Sequence, residues 1–223
     1  HAVKLGLASD VYVANSLVHF YATCGRLELA CRVFDAIRHR SLVSWNVMMD
    51  GLVASGRYED ALELFRQTQS AFTPDTFTLQ SLIGACEGLG TLSLGMWAHA
   101  FVLRRCGKDV AGDVLVNNSL LDMYAKCGSV RLARQLFERM PCRDEASWNT
   151  MILGFAMHGL VKESMEAFAR MREVGTLKPN AITFVGILSA CSHGGLVSEG
   201  RRYFGAMAGE FGVEPQVEHY GCM

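Results

Sequence analysis

The stretch NSLVHFYATCGRLELACRVF at residues 15–34 returns as NSLLDMYAKCGSVRLARQLF at residues 118–137, an offset of 103. Carried on to Trp45-Asn46 and Trp148-Asn149, the gapless comparison gives 14 identities in 32 positions. Ordinary residue frequencies would give about two. A further block matches at an offset of 105: Thr78 with Thr183, Ala85-Cys86 with Ala190-Cys191, and Gly95 with Gly200. A two-residue insertion in the second copy accounts for the slip. A duplicated block of this kind has to be explained before any single motif is weighed.

Within each copy runs a shorter beat. Breaks after Asp10, Ser41, Asp75, Asp113, Asp144, Asn180 and Gln216 give segments of 31, 34, 38, 31, 36 and 36 residues. Each segment carries two helical patterns. In 114–144, Val116, Leu120, Leu121 and Tyr124 mark one apolar face, Cys127-Gly128 interrupts it, and Val130, Ala133, Leu136 and Phe137 resume it. No segment shows sustained β alternation with hairpin dipeptides. Small residues on the second helix (Ala30, Ala61, Gly95, Ala133, Gly200) suit close helix crossing. A helix pair cannot bury its apolar face alone, so neighbouring pairs must stack.

The composition agrees. Of 223 residues, 50% are hydrophobic and 19% charged, a globular balance and not a disordered one. A formal net charge of −1 argues against a partner held by a globally basic surface, though not against a local groove. The eight cysteines contain no CxxC, so neither a zinc ribbon nor a dithiol motif is present. Asp50 interrupts the most hydrophobic stretch, 41–53, and no run approaches a membrane span. The chain starts at His1 and stops at Met223, and reads as a piece excised from a longer protein.

A helix pair of about 34 residues could be tetratricopeptide-like, but the Trp, Leu-Gly and Tyr positions of that pattern are missing. Five stretches carry a different resemblance: Val43-Ser44-Trp45-Asn46, 58–65 (YEDALELF), 123–128 (MYAKCG), 147–152 (SWNTMI) and 187–193 (ILSACSH). The sequence resembles the pentatricopeptide repeat family in its plant-type alternation of short, standard and long motifs, and does so over the whole chain. On this resemblance 11–41 and 114–144 are short motifs, 42–75 and 145–180 standard, and 76–113 and 181–216 long. Residues 1–10 are the tail of a preceding long motif, and 217–223 open a further short one. The implied fold is all-α: a right-handed α-solenoid superhelix of stacked helix-turn-helix repeats.

The resemblance also implies a function. In this family each repeat presents one base of single-stranded RNA to two side chains, the fifth residue of the first helix and the last residue of the motif. The pairs here are Asn15 with Ser41, Asn46 with Asp75, Gln80 with Asp113, Asn118 with Asp144, Asn149 with Asn180, and Val185 with Gln216. The chemistry is apt, because Asn offers a donor and an acceptor to a Watson–Crick edge. A carboxylate can accept from the N3–H that uracil has and cytosine lacks. The family code implies C-U-n-U-Y-n, 5′ to 3′; the two long-motif pairs, one containing the apolar Val185, have no defined base. Tyr12, Val43, Phe77, Leu115, Ala146 and Ile182 would flank each base, or else pack at the helix start. Lys126 would meet a phosphate, or else sit solvated. An N-cap role for the asparagines would explain part of their regularity but not the Ser, Asp and Asn motif ends.

Other chemistry finds little support. A cytidine deaminase zinc site needs HxE and PCxxC; Pro141-Cys142 lacks its second Cys, and no His-x-Glu occurs. Cys191-Ser192-His193 invites a metal, but Cys191 matches Cys86, which no His follows. Gly194-Gly195 and the Gly-Leu-Gly at 88–90 lack the rest of a phosphate loop. No enzyme activity, cofactor, metal site or membrane contact is therefore expected. The expected partners are single-stranded RNA and organellar editing-factor proteins docking on the long motifs, in a chloroplast or mitochondrion, with C-to-U editing as the process. A helical protein-interaction scaffold, or an RNA splicing or stability factor, is the alternative.

Overall fold

The computed structural model describes residues 10–223. The segment 1–10, expected as the tail of a long motif, falls outside it except for Asp10, which caps the first helix. The described residues form helices and no strand. In chain order they are α1 (Val11–Thr23), α2 (Leu27–Ala36), α3 (Leu42–Ala54), α4 (Tyr58–Gln69), α5 (Thr76–Gly88), α6 (Leu92–Arg105), the single turn α7 (Lys108–Ala111), α8 (Val114–Lys126), α9 (Val130–Arg139), α10 (Glu145–Met157), α11 (Val161–Glu173), α12 (Ala181–His193), α13 (Val197–Phe211) and α14 (Val217–Gly221). Contacts gather them into two compact units, His1–Ala111 and Gly112–Met223.

In the first unit α1, α3 and α5 lie side by side, and α2 and α4 each pack on their own first helix and on the next. The second unit repeats this with α8, α10 and α12 as the row and α9 and α11 in the wedges, while α14 rests on α12. The sequences explain the division of labour. A helix with neighbours on both sides must be apolar on most faces, and α10 buries eight of its 13 residues. A helix packed on one side needs one stripe, and α9 buries only Val130, Ala133 and Phe137. The small second-helix residues do pack closely: Ala30, Ala61 and Ala133 have no exposed surface.

Glycine fixes the turn between the two helices in both short segments. Gly25 and Gly128 have φ of +70° and +79°, a left-handed conformation that only glycine adopts without strain. Gly25 N–H donates to Ala22 O and Arg26 N–H to Tyr21 O, with the same pair of bonds after α8 from Gly128 and Ser129. This is the Schellman closure of a helix C-terminus.

The link back to the next first helix is pinned by arginine. Arg40 Nε donates to Phe34 O while its guanidinium lies 4.4 Å from the Phe34 ring. Arg143 does the same at Phe137, at 4.9 Å. Each phenylalanine meets a tryptophan edge-on, Phe34 with Trp45 at 5.3 Å and Phe137 with Trp148 at 4.8 Å. Fully burying such a ring contributes roughly 1.5–3 kcal/mol.

First helices approach one another at small residues. A Cβ on Gly51 would stand 2.7 Å from Ala22 Cβ, whereas one on Gly154 would stand 3.3 Å from Ala125 Cβ. Gly51→Ala is expected to lower stability by about 1–3 kcal/mol through overpacking, and Gly154→Ala by less. Urea denaturation of the two variants checks the order.

Candidate nucleic-acid interface

Every residue that ends a predicted segment stands at a helix N-cap: Asp10, Ser41, Asp75, Asp113, Asp144, Asn180 and Gln216. The reason is local, since the first N–H groups of a helix lack partners and a short polar side chain supplies one. Asp75 Oδ1 accepts from Thr78 N–H at 2.9 Å, Asp144 Oδ1 from Ser147 N–H at 2.8 Å, and Asn180 Oδ1 from Thr183 N–H at 3.2 Å. In return the hydroxyls of Thr78, Ser147 and Thr183 accept the N-cap's own N–H. These are reciprocal capping boxes. The fifth-position asparagines are therefore not the caps. They sit one turn further along their helices.

Three of the expected pairs are joined. Asn46 Nδ2 donates to Asp75 Oδ1 at 3.0 Å, Asn118 Nδ2 to Asp144 Oδ1 at 3.0 Å, and Asn149 Nδ2 to Asn180 Oδ1 at 3.2 Å. A carboxylate oxygen only accepts, so the amide nitrogen has to face it. A third residue completes each pair: the hydroxyls of Thr78, Ser147 and Thr183 reach Oδ1 of Asn46, Asn118 and Asn149 at 2.7, 2.7 and 2.6 Å. Sequence reading passed over these hydroxyls. Their signal was there, a Ser or Thr three residues after Asp75, Asp144 and Asn180.

The other pairs differ. Asn15 is buried and its Oδ1 has no hydrogen-bond partner, while the Ser41 hydroxyl is turned to Ser44 Oγ at 3.2 Å. Gln80 is half-buried on α5, and Asp113 caps α8 through Leu115 N–H at 2.7 Å; they belong to different units. Val185 is half-buried and Gln216 exposed. Gln216 N–H donates to His219 Nδ1, so the buried imidazole carries its proton on Nε2 and donates it to Ala181 O at 2.9 Å.

Around the joined pairs the surface is open and apolar. Tyr12, Val43, Phe77, Leu115, Ala146 and Ile182 all occupy the second helical position after a cap, and all are exposed, Tyr12 at 85% and Phe77 at 66%. Packing at the helix start does not hold them. In the first unit Val43, Phe77, Asn46 and Asp75 line one cavity of about 610 Å³, with His19, Asp50 and Gln80 on its walls. Lys126 is exposed in the last turn of α8, and its Nζ donates to Asp122 at 2.8 Å.

The repeat unit can now be compared with known proteins. A PPR repeat family model matches residues 40–87, and a PPR repeat model matches 12–42, 118–144 and 146–176. The chain belongs to the pentatricopeptide repeat family. A pentatricopeptide repeat-containing protein of Arabidopsis thaliana, named chloroplastic/mitochondrial, is 57% identical over 99% of this chain and 35% of its own length. A second Arabidopsis relative, named mitochondrial, is 44% identical over all of this chain and 47% of its length. The chain thus spans between about a third and a half of these relatives. The crystal structure of the pentatricopeptide repeat protein PPR10 from maize superposes with a TM-score of 0.69 at 28% identity, covering 93% of this chain and 30% of that one. The structure of PPR10 in complex with an 18-nt psaJ RNA element gives 0.62 at 18% identity, over 99% of this chain and 38% of that one.

The groups suspected of other chemistry have structural occupations in this pentatricopeptide repeat chain. Cys191 is buried, and burial pushes its thiol up, away from the thiolate that binds metal. His193 Nδ1 donates to Ala156 O at 2.9 Å and His158 Nε2 to Ala125 O at 2.8 Å, each tying one repeat to the end of the preceding first helix. Among the described residues no three His, Cys, Asp or Glu side chains gather as a metal site, and no helix is long and apolar enough to cross a membrane.

The capping carboxylate has a measurable signature. Burial pushes the Asp144 carboxyl up, but hydrogen bonds from Ser147 N–H and the Asn118 amide hold it below its ordinary value of 3.8. A carboxyl depressed in the folded state stabilises it fully above the unfolded value, and that stability is lost as pH falls through the folded one. Asp144→Asn keeps an acceptor at the cap, as Asn180 shows, but removes the proton uptake. The melting temperature of the variant is expected to fall less steeply than that of the parent as pH drops below about 4.

Proposed function

We propose that the chain reads single-stranded RNA one base per repeat, as the recognition part of an organellar C-to-U editing factor. The observation that carries this is the recurrence of the Asn–cap pair at one register in three repeats across both units. Each pair sets a buried or half-buried asparagine against a half-buried cap, and adjoins an exposed apolar residue where a base could lie. PPR10, whose fold this chain shares, is seen bound to RNA, and the relatives are named for the chloroplast or mitochondrion. The motif series is the alternation of short, standard and long motifs set out above. The bases would be bound, not altered, by the residues of these pairs.

Each slot then has a floor and a wall. In the second slot Asn46 and Asp75 form the floor, with Val43 and Phe77 flanking the cavity between them. The carboxylate keeps Oδ2 for the uracil N3–H. Two of the basic groups elsewhere are engaged: Arg170 pairs with Glu138 through two contacts of 2.6 and 3.1 Å, and Arg172 with Glu210 at 2.9 Å. Recognition therefore rests on polar pairs and apolar walls more than on phosphate attraction. Editing-factor proteins would dock on the long motifs, where α6 exposes Met96, Trp97 and Leu103.

An RNA carrying C-U-n-U-Y-n is expected to bind more tightly than a scrambled one at fixed salt. Changing the second or fourth base from U to C should weaken binding roughly three- to tenfold, the effect of one lost hydrogen bond. Equal affinities would remove the base-reading proposal. Phe77→Ala should cost about 1–3 kcal/mol of affinity by loss of stacking, without altering the U-over-C preference at the fourth base. Fluorescence anisotropy titrations measure both.

A further inference from the structure

The three joined slots share a residue outside the two-residue code. Thr78, Ser147 and Thr183 lie three positions after the cap, on the repeat that follows the asparagine. Each hydroxyl is within reach of two oxygens. Thr78 Oγ1 is 2.7 Å from Asn46 Oδ1 and 2.8 Å from Asp75 Oδ1. Its one proton has a clear destination. Asp75 Oδ1 already accepts from Thr78 N–H and from Asn46 Nδ2, which occupies both lone pairs of that oxygen. Asn46 Oδ1 has the hydroxyl as its donor. The same holds for Ser147, with Asp144 Oδ1 accepting from Ser147 N–H and Asn118, and for Thr183 at Asn180 and Asn149.

We infer that Thr78, Ser147 and Thr183 are positioning residues of the reading slots: their hydroxyls lock Asn46, Asn118 and Asn149 so that each offers a base only an amide N–H. Turning such an amide over would set its oxygen against the cap oxygen and place two acceptors face to face. The locked asparagine is a donor; beside Asn46 and Asn118 the second carboxylate oxygen of Asp75 and Asp144 is the acceptor, whereas beside Asn149 the cap Asn180 has only its Nδ2 left, a donor. Asn15 shows the unlocked state. Ser41 is shorter than Asp and offers no carboxylate, Ser44 Oγ turns to it at 3.2 Å, and Asn15 Oδ1 is left without a partner. No hydrogen bond to the oxygen fixes the amide orientation there, so the hydroxyl lock of the other three slots is missing. The hydroxyl also keeps company with asparagine. Where the fifth residue is Gln80 or Val185, the position three after the cap is Val116 or His219, and neither carries a hydroxyl.

This inference rests on the base reading proposed above, and the test separates the two. The 223-residue chain is titrated with RNAs of the pattern C-U-n-U-Y-n bearing U or C at the second or fourth base. Thr78→Val preserves the shape of the side chain and removes the hydroxyl. It should lower the U-over-C ratio at the second base by about three- to tenfold and leave the ratio at the fourth base as it was. Thr78→Ser restores the hydroxyl and should restore the ratio. Ser147→Ala should do at the fourth base what Thr78→Val does at the second, and it puts the same question if Thr78→Val does not fold. An unchanged ratio with equally weakened binding of both RNAs would reduce the hydroxyl to a helix cap and overturn the inference, as would loss of the ratio in Thr78→Ser. A parent chain with no U preference at either base would instead defeat the base reading itself, and this inference with it.

Discussion

The oxygen that caps a first helix belongs to two repeats at once. Asp75 Oδ1 takes the Thr78 N–H, a donor that helix geometry leaves without a partner, and also the amide of Asn46 from the helix before. Capping and stacking are therefore one interaction, because moving α5 against α3 would break the bond to Asn46 and unsettle the cap. An uncapped helix start loses about 1 kcal/mol, and a buried amide without partners costs a similar amount. The same coupling recurs at Asp144 and Asn180. It sets the register at which the exposed residues one turn earlier, Leu115, Ala146 and Ile182, follow one another along the second unit.

Much of this was legible in the sequence, for a physical reason. A repeat that buries its apolar face only against copies of itself must restate the same contacts, so Phe34 and Phe137, Trp45 and Trp148, Arg40 and Arg143 recur at a fixed offset. The segment ends were visible because capping demands short polar side chains, which stand out between apolar runs. What stayed hidden lay across repeats. Ser147 reads as an ordinary hydroxyl beside a tryptophan; only the fold brings it to Asn118, 29 residues earlier. The glycine-to-alanine contact of Gly51 with Ala22 was hidden likewise, since closeness between first helices leaves no local pattern. The asparagines suggested helix caps because they lie near helix starts, yet the cap is five residues before them.

Locking has a consequence for binding as well as for selectivity. A side chain that must be ordered on contact loses rotamer freedom at that moment, about 0.5–1.5 kcal/mol for a flexible group. Asn46, Asn118 and Asn149 are ordered when the protein folds, so on the proposed reading their N–H groups would meet an incoming base already aimed. Asn15, buried but with an unpartnered Oδ1, lacks the hydroxyl bond that aims the other three. On the proposed reading, slots of the two kinds would divide the work: the locked ones would discriminate and bind with little reorganisation, and the unlocked one would adapt.

Charge then takes a subordinate place. With a net charge of −1, and with the second-helix arginines Arg170 and Arg172 bridged to Glu138 and Glu210, the protein has no overall positive excess to draw a phosphate backbone. Lys126 shares its charge with Asp122. Asp50 lines the cavity beside Asn46 and Asp75 and would repel a phosphate that entered there, while leaving room for an uncharged base. An acidic wall weakens binding to any RNA, matched or not, and so lowers the affinity for wrong sequences that a solenoid of repeats would otherwise accumulate. Selectivity in such a surface comes from suppressing the phosphate contribution until the aimed amides and carboxylates decide the outcome.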